Sequence, residues 1–488
     1  MRFKLEAHQS RLVLALFFVV SFLAYTWANH FPYFYHSDEE SKALQLLYGY
    51  RNYWHPMLML NATSLLGQLT GQLDNAQFIT MVGRTLSAFF SSLGVVCFVQ
   101  FAWRRKGPLV GILTGLLLLT LPLLFEVSHY CKEDPALFMG LALGLLALDY
   151  FLTTPDVRHV IFLGMAAGIA TSAKYPGALL IVALLPVVFH RTRKLSFLFL
   201  LTVTLTVLAI NWQWLTHIPE LFAGIRRESG MLALGHDGVS GEFPHSDYWQ
   251  ILVYQHGWPM LITALLGLVL TQRHGEFFSV EFVLGFTALV ILVFMSYSPK
   301  ISDRYVLPIM AITIYLAACG VDILARFATP KSRPWVTAIL IALVGFHPVY
   351  MLAGWVQDFR GDSRADLTAW AASHLSKNDR IATSLWTRLP GFYQGQFAAG
   401  TPPPDYVADL GTLDELRKMG YSWVAVADVE CRRFDNPLQA GSAASQATFL
   451  RRRSFYQDLQ SQADLRWSEP LGMVYNLHPG LQLYQLRR

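Results

Sequence analysis

The sequence is short of charge. Only 15% of its 488 residues are Asp, Glu, Lys or Arg, against about 25% in soluble domains. No block of like charge is long enough to read as a nucleic-acid tail; "RRRSF", Arg451 to Phe455, is brief and isolated. Cysteine is scarce too. Cys97, Cys131, Cys319 and Cys431 form no CxxC pair and show no metal-ligand spacing. Two of them fall in apolar segments, which speaks against a disulfide framework. Internal repeats and low-complexity segments are missing. These absences argue against a soluble globular enzyme, a nucleic-acid binder and a disulfide-built scaffold.

What is present is apolar. Hydrophobic residues make up 53% of the chain, in recurring runs near the length that crosses a bilayer, which marks a polytopic α-helical membrane protein. Eleven transmembrane helices are expected, at roughly 11–29, 78–102, 108–125, 135–152, 159–173, 176–190, 195–212, 250–271, 279–297, 304–320 and 335–355. The first has a basic leader but no clear A-x-A site after it, so it reads as a retained helix rather than a cleaved signal peptide. Lys and Arg gather in "MRFK", "RRK" (Arg104–Lys106), "RTRK" (Arg191–Lys194) and "KSR" (Lys331–Arg333). Basic loops stay cytoplasmic. The alternate loops, at roughly 30–77, 126–134, 174–175, 213–249 and 298–303, are richer in acids and aromatics and face outward on the same rule. From residue 356 the composition turns polar. "GDSRADLTAW" has helical spacing, "DRIATSLW" reads as a strand, "LDELRKMGYSWVAVAD" as a helix, a Gly stop and a strand, and "LQLYQL" as a final strand. The chain therefore divides into a transmembrane part, 1–355, and a C-terminal α/β soluble domain, 356–488, on the outer side.

Ionisable residues beside membrane spans are costly and are functional candidates. Alternation of the spans puts several on one side. "HSDEE" supplies Asp38, Glu39 and Glu40. "HYCKEDPALF" supplies Lys132, Glu133 and Asp134. Lys174 and Tyr175 follow the fifth span, Arg226 and Arg227 lie in the 213–249 loop, and "SPKISDRY" brings Lys300, Asp303, Arg304 and Tyr305. A sugar leaving from a lipid phosphate needs cations near the phosphate and no strong general acid. Its acceptor hydroxyl needs a base, and one carboxylate serves, whereas glycoside hydrolysis ordinarily uses two. The chemistry names no certain cofactor and leaves a divalent cation open, which Asp38 and Asp134 would share with the phosphate.

Each feature has a plainer reading. Ser37 to Glu40 reads as a helix start with Ser37 as N-cap and acids in the first turn. Asp134-Pro135 reads as the capped start of a span. Lys174 and Arg304 read as snorkelling anchors, Arg226 and Arg227 as a solvated face. Arg84, inside the second span, wants a buried partner and reads as one half of a structural ion pair. His36, His55, His129, His236, His245 and His256 are placed outside and lack i, i+4 ligand spacing, so zinc is not expected. "PYFY" and "YRNYWHP" read as an interfacial aromatic belt.

The chain resembles the membrane glycosyltransferases of the GT-C superfamily, and within it the protein-mannosyltransferase-like branch that includes bacterial lipid A aminoarabinose transferases and dolichyl-phosphate-mannose-protein mannosyltransferases. "HSDEE" looks like the first-loop Asp-Glu motif, with Ser37 where Pro is common. "GRTLSAFFSSLGVV" is similar to the opening of the second span, "KEDPALF" to the second-loop acidic segment, "SAKYPGAL" to the Thr-Lys-Tyr segment, and "DRYVLPIM" to a late span led by Arg-Tyr. "GDSRADLTAW" resembles the start of the outer soluble domain. The resemblance covers most of the chain and rests on the order and sidedness of these motifs.

It implies an inverting glycosyltransferase that takes its sugar from a polyprenyl phosphate at the outer face of the inner membrane. It places Asp38 on the family's catalytic Asp, Glu39 on the Glu of the pair and Asp134 on the second-loop acid. Lys174 and Arg304 fall on basic positions suited to the donor phosphate, with Tyr305 and Lys132 beside them. The acceptor, a hydroxyl or phosphate group of a lipid, glycan or protein, stays open. Two other classes compete: a transporter of lipid-linked sugars, which predicts inverted repeats and mid-membrane charges, and a non-catalytic envelope assembly protein, which needs no acid–base set.

Overall fold

The computed structural model describes residues 7–29, 36–234, 244–271, 280–297, 302–376, 378–387, 404–435 and 443–487. Fifteen helices build the first part: α1 (Ala7–Thr26), α2 (Ser37–Leu47), α3 (Leu58–Thr70), α4 (Ala76–Lys106), α5 (Pro108–Leu119), α6 (Pro122–Ser128), α7 (Asp134–Thr153), α8 (Val157–Ala173), α9 (Leu179–Arg191), α10 (Ser196–Ile210), α11 (Ile218–Leu234), α12 (Pro244–Thr271), α13 (Val280–Ser296), α14 (Leu307–Arg326) and α15 (Arg333–Asp358). Among the described residues, seven helical segments are long and apolar enough to cross a membrane, and the α5–α6 pair adds an eighth if taken as one span. Three shorter apolar helices, Val157–Ala173, Tyr175–Arg191 and Val283–Ser296, accompany them. Each of the eleven expected spans coincides with one of these apolar elements.

The third expected span is not straight. Its two halves meet at 63°. Leu121 is extended (φ −74°, ψ 110°) and Pro122 opens the second half. Proline lacks an N–H and disfavours helical backbone in the residue before it, so the chain restarts there. A second break lies inside α12, where Gly257 adopts φ 71° and ψ 157°. That conformation suits glycine, and a Cβ at Gly257 would meet the His347 ring at 2.9 Å. His256, placed on the outer side by the sequence, is fully buried at this break.

The helices share one apolar core running from Phe17 through Phe98, Phe138, Leu163 and Met310 to Trp355. α7 rests on α8 through Gly140, where a Cβ would come within 2.6 Å of the Ala170 backbone. Small residues at such crossings let membrane helices approach closely, and this approach sets the helix that begins at Asp134 beside the one that ends before Lys174. α2 is too short to span. Its Ala43 and Leu46 are buried with Met57, Leu60 and Ile79, so it packs against the bundle, with Glu39 of its acidic first turn buried.

The last part contains α16 (Ser363–His374), β1 (Ile381–Ala382), α17 (Leu413–Lys418), β2 (Trp423–Ala427), α18 (Asp428–Cys431), α19 (Ala443–Gln462), β3 (Ala463–Ser468) and β4 (Leu481–Leu486). The sheet order is β1-β2-β4-β3, with β1 and β2 parallel and the other pairs antiparallel. Alternating side chains of β2 feed two cores. Val424 and Val426 pack with Phe434, Phe449 and Leu459; Trp423, Ala425 and Ala427 pack with Leu367 and Ile381. The expected helix at "GDSRADLTAW" and the strands at "SWVAVAD" and "LQLYQL" are present. The strand expected at "DRIATSLW" is reduced to Ile381–Ala382. Arg451 and Arg452 of "RRRSF" lie on α19 and pair with Asp409.

Candidate active site

The site is assembled at one end of the bundle from the loops that the sidedness argument grouped. Its foundation is a buried ion pair. Arg84, on α4, donates from Nε to Glu39 Oε1 and from Nη2 to Glu39 Oε2, both at 3.0 Å. Its Nη1 donates to the Asn29 carbonyl at 3.0 Å. The Cys131 backbone N–H adds a bond to Glu39 Oε1 at 2.8 Å. Both side chains of the pair are 0% exposed. Glu39 also closes a capping box by accepting from the His36 N–H at 3.3 Å. The N-cap of α2 is therefore His36 rather than Ser37: the His36 Nδ1 accepts from the Asp38 N–H at 3.0 Å. A fork–fork Arg–carboxylate contact fixes geometry as well as charge, so the start of α2 is locked to α4 and to the 129–133 turn.

The locked turn presents Asp38 differently from Glu39. The Asp38 side chain is 39% exposed, whereas those of Glu39 and Asp134 are 0% and 2% exposed. The Lys132 ammonium donates to Asp38 Oδ2. Burial alone would raise the Asp38 pKa, but Lys132, His36, Lys42 and Arg304 outweigh it and hold the carboxyl well below its usual range. Lys132 is pushed down to about 8, chiefly by burial and then by the Arg304 charge, with Asp38 opposing. One turn along α2, Lys42 Nζ pairs with Glu133 Oε1 at 3.1 Å. Burial opposes the Glu133 charge, and Lys42, His55 and Lys132 override it, leaving that carboxyl at about 2.

Asp134 opens α7 and faces two cations. Lys174 Nζ donates to its Oδ1 at 2.7 Å, and Arg304 Nε stands 4.0 Å from its Oδ2. Neither that oxygen nor that Nε has a hydrogen-bond partner among the described residues, although both are buried. Lys174 lies 5.0 Å from the centre of the Tyr305 ring. These four residues line a groove between α7, α9, α13 and α14. Its walls are apolar: Leu141, Leu180, Ile291, Met295 and Pro308. Lys174 and Arg304 thus turn inward to Asp134 instead of snorkelling outward.

Asp38, Glu39, Lys132, Asp134, Lys174, Arg304 and Tyr305 come together. Arg226 and Arg227 do not: both are exposed, and Arg227 lies 3.4 Å over the Trp54 ring. Lys300, His236 and "PYFY" fall outside the described residues, as does the His245 side chain. Among the described residues, no group of three or more His, Cys, Asp and Glu side chains is placed to hold a metal ion. Asp38 and Asp134, the two acids expected to share a cation, each bond a lysine ammonium.

Sequence reasoning missed Lys42 and Glu126. Glu126 sits in α6 at 4% exposure. It accepts from the Tyr130 hydroxyl at 2.6 Å and from Trp355 Nε1 at 3.0 Å. A lone carboxylate at the end of an apolar run was the available signal. Lys42 was visible one helical turn after Asp38.

Comparison with known proteins bears on this geometry. Residues 55–214 match the family model for dolichyl-phosphate-mannose-protein mannosyltransferase. No curated protein matches the chain in sequence. Among solved structures, ArnT from Cupriavidus metallidurans bound to undecaprenyl phosphate is similar at a TM-score of 0.55 and 16% identity, over 96% of this chain and 97% of that one. The archaeal oligosaccharyltransferase AglB from Archaeoglobus fulgidus, in complex with an inhibitory peptide and a dolichol-phosphate, is similar at a TM-score of 0.55 and 11% identity. That match covers 98% of this chain and 74% of that one. Identities this low establish the fold, and the matched segment contains Arg84, Lys132, Asp134 and Lys174. The chain has the GT-C fold of these polytopic membrane proteins, and its 55–214 segment is similar to the dolichyl-phosphate-mannose-protein mannosyltransferase family model.

Proposed function

We propose that this protein is an inverting glycosyltransferase that moves a sugar from a polyprenyl phosphate to a hydroxyl of a lipid, glycan or protein, at the outer face of the inner membrane. The observation that carries the reading is the groove: its mostly apolar lining among membrane helices includes Lys174 and Arg304, with Lys132 and the accessible carboxylate of Asp38 grouped around Arg304. A polyprenyl chain suits the walls, and its phosphate suits the cations. The undecaprenyl phosphate in the ArnT structure and the dolichol-phosphate in the AglB structure support the same donor class.

In this reading the acceptor oxygen attacks the anomeric carbon from the face opposite the phosphate. The bond from that carbon to the phosphate oxygen breaks, its electron pair stays on the phosphate, and the acceptor proton passes to Asp38. Fixed cations aimed at the leaving phosphate stabilise charge where it develops. Lys174 and Arg304 serve that role; Asp134 holds them. At rest Asp38 is a weak base because Lys132 is bonded to it. A bound phosphate draws the Lys132 ammonium toward itself and restores the basicity of Asp38, so donor binding precedes acceptor deprotonation. Glu39, committed to Arg84 and the Cys131 amide, positions Asp38 and takes no proton.

The test is incubation of the purified protein with labelled polyprenyl-phosphate sugars and candidate acceptors. The reading predicts labelled acceptor of inverted anomeric configuration together with free polyprenyl phosphate. Retention of configuration, or no consumption of any donor, contradicts it.

A further inference from the structure

The loop between β3 and β4 does not stay with its own sheet. Val474 and Leu477 are fully buried and belong to the core of the membrane helices. The backbone around them is pinned to the end of α15 and the start of α16. The Val474 N–H donates to Asp358 Oδ2 at 2.8 Å, and the Ser363 N–H donates to the Leu477 carbonyl at 3.2 Å. Between these anchors sits Asn476, 5% exposed. Its Nδ2 donates toward Glu126 Oε1 and toward the Tyr130 hydroxyl, each at 3.4 Å. The Tyr130 ring packs against His36, with centroids 5.6 Å apart.

His36 is the hinge of the matter. Its Nδ1 faces the Asp38 N–H at 3.0 Å, and its Nε2 faces Arg304 Nη1 at 3.0 Å. Both neighbours are donors, and a neutral imidazole has a single acceptor nitrogen. One full hydrogen bond at most therefore holds this ring on its polar edges, and the Tyr130 ring packs beside it. We infer that Asn476 is a positioning residue for Asp38 and Arg304, acting through Glu126, Tyr130 and His36, so that docking of the C-terminal loop sets the reaction centre. The inference rests on the glycosyl-transfer reading for its kinetic consequence, though not for its geometry.

The test compares wild-type full-length protein with Asn476→Asp and with the exchanged pair Asn476→Asp/Glu126→Gln. The single variant keeps the shape of the loop residue but sets two carboxylates face to face. The pair restores a donor opposite an acceptor. The single variant is expected to lower kcat per folded molecule about tenfold or more, because small displacements of reacting groups are costly. Its donor KM stays within about twofold, and the pair recovers most of kcat. A second readout does not depend on turnover: the rate of carbodiimide labelling at Asp38, read by mass spectrometry, changes in the single variant and returns in the pair. Wild-type kcat per folded molecule in Asn476→Asp overturns the inference. So does Asp38 labelling that is the same in all three proteins, even if no sugar transfer is found in the wild type, a result that by itself removes only the proposed reaction.

Discussion

Asp38, Glu39 and Glu40 are consecutive, and an α-helix turns successive side chains about 100° apart. That turn decides their work. Glu39 points into the bundle and meets Arg84; Asp38 meets Lys132 and stays accessible. The sequence made Arg84 legible as a residue in want of a partner, but 45 positions separate it from Glu39, and no pattern in one chain states that pairing. Arg84→Met leaves Glu39 buried without its counter-charge. Thermal unfolding in detergent is expected to show a loss of about 3–5 kcal/mol, and an unchanged melting temperature contradicts the pairing. Lys132 gives a pH test. Its ammonium is present below about 8 and lost above it, and kcat/KM reports the free enzyme. The profile is expected to fall as pH rises through that value, and Lys132→Arg, which keeps its charge, shifts the fall upward. A profile flat across that range in the wild type contradicts the role.

At the scale of elements, the apolar segments were legible because length and hydropathy alone mark them. The bends were less so. The α5–α6 break follows from Pro122, but its angle is set by packing. The groove was not legible at all. Leu141, Leu180 and Ile291 are ordinary apolar residues in their own helices, and only the approach of α7, α9 and α13 makes them walls. Ile291→Trp fills that channel while leaving every charged residue of the site in place. Donor KM is expected to rise about tenfold or more, with kcat at saturation little changed, the pattern of lost ground-state binding. An unaltered KM would show that the lipid chain runs elsewhere.

At the scale of the molecule, charge gathers at two ends. Asp38, Lys132, Asp134, Lys174 and Arg304 mark one. At the other, Arg104 pairs with Asp149, and Arg105 and Lys106 with Glu281. A carrier with a mid-membrane site would place them otherwise. The sequence rule of basic inner loops predicts that the first end faces outward. The four native cysteines are buried, so introduced ones report cleanly. A membrane-impermeant thiol reagent applied to spheroplasts is expected to label Tyr48→Cys, at a position 71% exposed near the site, and to spare Trp335→Cys, 74% exposed at the other end. The reverse pattern contradicts the orientation. The docking of the 469–480 loop into the helical core was invisible in the sequence, because Val474 and Leu477 there resemble any buried pair of a small domain.

The central claim, that Asp38 receives the acceptor proton, is tested most directly by turnover of Asp38→Asn against wild type with the same polyprenyl-phosphate donor. The account predicts a fall in kcat of about 10²–10⁴-fold, the range for loss of a general base, with donor KM little changed. An Asp38→Asn enzyme that turns over at the wild-type rate would contradict it.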